Sequence, residues 1–130
     1  MRKITFLISL LVVSSALLSA CAGAATSTQA STKPVDVKVE SNPNPVTTGD
    51  AELMFTITDA NGNPLEGATV DVSADHTGHS GMSMSGVATE QGDGKYAINA
   101  NFNMSGNWKM TVYVRKEGLD YKEDIELEVQ

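Results

Sequence analysis

From Pro34 to the end of the chain, apolar residues recur at every second position, and this period decides what the chain can fold into. Val35, Val37 and Val39 alternate with Asp36 and Lys38. Leu53, Phe55 and Ile57 alternate with polar neighbours or Met54, and Ala68, Val70, Val72 and Ala74 do the same. Three further runs follow, through Tyr96, Trp108 and Ile125. In extended backbone successive side chains leave opposite faces, so each run buries one row and exposes the other. A helix would need apolar residues three and four apart, and no stretch here has that spacing. Turn-forming clusters separate the runs: Asn42-Pro43-Asn44-Pro45, Asn61-Gly62-Asn63-Pro64, Gly92-Asp93-Gly94 and Ser105-Gly106-Asn107. Val87 to Gln91 reads as a short seventh strand. The expected fold is all-β, an immunoglobulin-like β-sandwich of about seven strands over residues 34–130. Trp108, the single tryptophan, opens a strongly alternating run and is expected in the core. The region is long enough for one core, and with one cysteine in the chain no internal disulfide supports it.

The first twenty residues do not belong to that pattern. Met1-Arg2-Lys3 is a short positive start, Ile4 to Leu18 is almost purely apolar, and Ser19 and Ala20 are small. This is the layout of a secretory signal peptide. The apolar run is shorter than the roughly 20 residues a spanning helix needs, so a retained membrane anchor is the poorer reading. Leu18-Ser19-Ala20-Cys21 resembles the bacterial lipobox. That resemblance implies lipidation of Cys21, cleavage before it, and a mature chain that begins with a membrane-bound cysteine. Two or three acyl chains hold a protein on a bilayer far better than one. The domain plan is therefore a lipoprotein signal peptide over 1–20, a lipidated tether over 21–33 and one domain over 34–130. Ala22 to Lys33 is small and polar and cannot bury enough surface to offset ordering, which suits a tether. The expected location is the extracytoplasmic face of a membrane, an outer membrane being allowed where the cell has two.

The net charge of the whole chain is −7. Loss of Arg2 and Lys3 with the signal makes it more negative still. An acidic surface argues against nucleic acid and against electrostatic docking to anionic lipid.

One segment breaks the strand pattern without being a simple turn: Asp75-His76-Thr77-Gly78-His79-Ser80-Gly81-Met82-Ser83-Met84-Ser85. It holds both histidines of the chain and two of its six methionines. Imidazole and thioether are neutral ligands that suit soft or borderline metals, and thioether favours Cu(I) over Zn(II). Copper, Cu(I) above all, is the expected cofactor. The plainer alternative has Met82 and Met84 packing as core residues of the next strand and the histidines idle in solvent. No Ser-His-Asp set, catalytic carboxylate pair or strand-turn-helix elbow stands out, so no enzyme is expected.

Strand order adds a separate argument. In an up-and-down sandwich the first, third and fifth connections gather at one end. The His/Met segment is the third connection. The fifth, Asn103-Met104-Ser105-Gly106, brings another methionine to the same end, and the tether enters at the opposite one. The expected cluster is His76, His79, Met82, Met84 and Met104, on the pole facing away from the membrane.

The stretch from His76 to Val114 resembles the YtkA-like domain, related to the FixH-like group. The residues that carry the resemblance are Gly78-His79-Ser80-Gly81-Met82-Ser83-Met84, then Gly94-Lys95-Tyr96, then Met104-Ser105-Gly106-Asn107-Trp108. Upstream, Asp59 to Ala68 fits the D-x-x-G-x-P-x-x-G-A connection common in bacterial immunoglobulin-like domains. The resemblance implies an extracytoplasmic β-sandwich, often lipid-anchored and often found in copper-handling or oxidase-assembly settings. His79, Met82, Met84 and Met104 are the positions it carries over; His76 is an addition of this sequence.

Two functions fit these residues. In one, a lipid-anchored protein binds copper through the His/Met loop and buffers it or passes it to a copper-receiving or oxidase-assembly partner. In the other, a metal-free adhesion or scaffold module uses the loop as a contact surface while its methionines pack.

Overall fold

A computed structural model describes residues 33–130. The expected signal segment, Cys21 and the tether up to residue 32 lie outside the described residues. Eight strands follow one another: β1 (Val35–Asn42), β2 (Gly49–Asp59), β3 (Thr69–His76), β4 (Ser83–Val87), β5 (Thr89–Gly92), β6 (Lys95–Phe102), β7 (Gly106–Lys116) and β8 (Leu119–Val129). They form two four-stranded antiparallel sheets, ordered β1-β2-β6-β5 and β4-β3-β7-β8. The described residues contain no helix, and the all-β sandwich expected from the alternation is the fold observed.

The inward rows meet between the sheets. Leu53, Phe55 and Ile57 of β2 and Tyr96 and Phe102 of β6 are buried against Val70 and Val72 of β3 and Trp108, Met110, Val112 and Val114 of β7. The four central strands therefore carry the core, while β1, β4, β5 and β8 form the edges.

One element departs from the sequence reading. The segment expected as a single strand, Val87 to Gln91, is divided between the two sheets. β4 pairs with β3, and β5 pairs with β6 across a register shift. The chain changes sheets at Ala88, which is buried and whose N–H donates to the Val70 carbonyl at 2.8 Å. Alternation cannot report such a crossing, because both halves stay extended and the apolar Val87 is left 60% exposed on the outer face. The sheet change makes eight strands where about seven were expected.

The β2–β3 connection is held by its own polar atoms. Asp59 Oδ1 accepts the N–H groups of Asn61 (2.8 Å) and Asn63 (2.9 Å). The buried Tyr96 hydroxyl donates to the Leu65 carbonyl at 2.8 Å and accepts the Ala68 N–H at 3.1 Å. Those bonds fix Ala68 just before β3, which begins at Thr69.

The Asn63 N–H, followed by the other turn donors, holds the Asp59 carboxyl below the usual carboxylate range. A depressed carboxyl stabilises the fold above its unfolded pKa, and that contribution is lost as pH falls through the folded value. Acid titration of unfolding should therefore show a stability loss below about pH 4 that Asp59→Asn flattens. An unchanged acid limb in the variant would mean the turn is not coupled to folding.

Candidate functional site

Register places the two ends of the sandwich. Val35 lies opposite Asp59, so the chain enters at the end that carries the β2–β3 connection. His76 pairs with Trp108, so the β3–β4 turn and the β6–β7 connection meet at the other end. Gln130 exchanges hydrogen bonds with Val46 and Thr48 there, which adds the C-terminus to that pole.

His76 closes β3 and is fixed on both ring nitrogens. The Gly78 N–H donates to Nδ1 at 3.0 Å, so that nitrogen carries no proton in this arrangement. The remaining ring proton sits on Nε2, which donates to the Ser105 carbonyl at 3.0 Å. The imidazole meets Trp108 edge to face at 5.2 Å between ring centres, and Trp108 meets Phe102 in the same way at 5.2 Å. His76 thus ties the two connections together over the aromatic end of the core. Gly106 makes this possible: with φ at 123°, a Cβ there would fall 2.8 Å from His76 Nε2.

The other expected residues are placed around it. His79 is exposed at the tip of the turn, its ring 5.1 Å from that of His76 and tilted by 51°. Met82 is half-buried, and its sulfur takes a contact from Asn103 Nδ2 at 3.5 Å. Met84 lies opposite Ala74 on β4, half-buried against the core. Met104 is half-buried too, and its carbonyl accepts Trp108 Nε1–H at 3.1 Å. Met104 adjoins Ser105, so the third and fifth connections do share one pole. Among the described residues, no three His, Cys, Asp or Glu side chains gather in a way that could hold a metal ion. A metal here would depend on thioether donors.

Asn103, Ser105, Gly106 and Thr77 are not among the site residues expected from the sequence. Thr77 extends the β3–β7 ladder, its N–H and hydroxyl both donating to the Asn107 carbonyl at 2.9 Å. Ser105, Gly106 and Asn107 read as turn formers, and only the meeting of two distant connections makes their carbonyls and close approach part of the site.

This sandwich of two antiparallel sheets, with chain entry at one pole and the His/Met turn at the other, is an immunoglobulin-like domain. Residues 29–113 match the YtkA-like family, and the chain belongs to it. No curated protein matches the chain. Among solved structures the chain is similar to FdeC, described as a broadly conserved Escherichia coli adhesin eliciting protection against urinary tract infections. The identity is 26% and the TM-score 0.51, over 77% of this chain and 32% of that one. The chain thus spans about a third of the length of the adhesin it matches.

Proposed function

We propose that this chain is a contact-making display module: an immunoglobulin-like domain lipid-anchored through Cys21 on the extracytoplasmic face, serving adhesion or scaffolding without turnover. The observation that carries the reading is the state of the pole. His76 has both ring nitrogens bonded to main chain, and Met82, Met84 and Met104 lean on the core. Side chains used in this way shape and stiffen a surface. The similarity to an adhesin domain supports the same reading. Chain entry at the far end means that a tether from Cys21 would carry the pole outward.

One observation favours a second reading, copper(I) binding with delivery to a copper-receiving partner. Two imidazoles lie 5.1 Å apart, in a turn closed by the His76 N–H donating to the Met82 carbonyl at 2.9 Å. His79 and Met82 are the residues able to serve at least expense; His76 would first have to give up its bond to Gly78 or to Ser105.

The test is an anaerobic Cu(I) competition with a chromogenic chelator, run beside an adherence assay on cells with and without the full-length chain. The module reading expects no stoichiometric copper uptake and adherence that depends on the chain. Stoichiometric uptake that His79→Ala and Met82→Leu both weaken would overturn it in favour of copper.

A further inference from the structure

We propose that the free edge of β8 is a docking site for an extended segment, alternating in apolar and basic residues, that adds to the sheet as a further strand. The proposal rests on the reading of the chain as a contact-making module, but uses a surface other than the His/Met pole.

β8 is the longest edge of the sandwich, eleven residues hydrogen-bonded to β7 on one side and ending the sheet on the other. Among the described residues no strand pairs with the outer side of β8, and alternate N–H and C=O groups of such an edge point outward, ready for strand addition. Gln130 uses part of this capacity at the C-terminal end, through Val46 and Thr48. The rest of the edge continues to Leu119.

The side chains say what would fit. The inward row of β8 is unfinished: Tyr121, Ile125 and Leu127 pack on the core but stay only half-buried, as do Val37 and Val39 of the facing edge strand β1. Their counterparts on β2 and β7 are fully buried. The sandwich therefore leaves an apolar seam between its two sheets along this side. Apolar side chains of an added strand would cover it, because alternate residues of that strand would face the same way.

Charge decides between occupants. β8 carries five carboxylates against the single Lys122. Two copies of β8 side by side would set like charges together, which opposes self-pairing. A strand bearing lysine or arginine at the intervening positions would meet complementary charge instead. The outward carboxylates Glu126 and Glu128 are the ones such a strand would meet; Glu123 stands in the inward row and is paired with Lys33, Nζ to Oε1 2.7 Å, so the apolar part of the seam lies along Ile125 and Leu127.

The probe is a ten-residue peptide alternating valine and lysine, titrated against the full-length chain at physiological ionic strength and followed by amide hydrogen exchange. A peptide with glutamate for lysine and one with the same residues in two blocks run beside it. The expected result is saturable binding of the alternating lysine peptide alone, with slowed exchange along β8. Glu126→Lys/Glu128→Lys should weaken it at least tenfold. Glu40→Lys/Glu52→Lys, an equal charge change on the outer face of the other sheet, should leave it unchanged. Lack of binding would overturn the proposal. So would equal binding of the blocked peptide, protection away from β8, or equal loss in the Glu40/Glu52 variant. Each of these failures would leave the reading of the pole to its own copper and adherence test.

Discussion

Trp108→Ala is expected to lower the unfolding free energy by about 3–5 kcal/mol, the range for removing a buried aromatic side chain. Trp108 is among the largest fully buried side chains of the domain. Its ring joins Phe102 on one side to His76 on the other, and its N–H holds the Met104 carbonyl. Truncation opens a cavity at the end of the core and frees both connections of the pole at once. Domains of this size have only about 5–15 kcal/mol in hand, so a large share of the stability goes with one residue. Urea unfolding read by circular dichroism measures the loss, and hydrogen exchange at Gly78 reads the pole. Trp108→Phe, which keeps a ring but drops the N–H, should cost less than half as much. A loss under about 1 kcal/mol in the alanine variant would mean that Trp108 is not the keystone of this end.

Gly94→Ala should cost about 3 kcal/mol, from backbone strain and overpacking together. Gly94 sits in the β5–β6 turn with φ at 70°, where an L-residue is strained. A Cβ there would lie 2.5 Å from the Ile57 carbonyl oxygen and 3.0 Å from the Leu65 nitrogen. Neither can withdraw: the Ile57 carbonyl accepts the Leu65 N–H at 2.9 Å, and the Ile57 N–H donates to Gly94 itself at 2.8 Å. The clash would therefore reach into β2 and the connection that Tyr96 fastens. Gly62→Ala separates the two effects, since Gly62 has φ at 84° but a Cβ there would meet nothing within 4 Å. It should cost only the strain, about 1 kcal/mol. Equal melting temperatures for the two variants would show that the close approach at Gly94 relaxes freely.

Much of this protein follows from its sequence because its information is local. The alternation through Leu53, Val70, Tyr96 and Trp108 sets which face of each strand is buried, since side chains in extended backbone have no other choice. Asn61-Gly62-Asn63-Pro64 and Gly92-Asp93-Gly94 mark turns because their residues meet the backbone demands of turns. Up-and-down order then places the His/Met turn and Met104 at one end. What the sequence could not report depends on partners far along the chain. Ala88 as the point where the strand changes sheets is one such case, decided by competition between Val70 of β3 and the edge of β6. The role of His76 is another. Its sequence neighbours fit a metal loop equally well, and only the approach of Ser105 and Trp108, about thirty residues away, turns its ring toward the main chain and the core. The open seam beside β8 is a third. Its strand alternates like any other, and whether Ile125 and Leu127 are covered depends on how far β1 reaches across the facing sheet. Period and turn chemistry are properties of neighbours in sequence; burial at an edge and the bonds of a single imidazole belong to the packed sandwich.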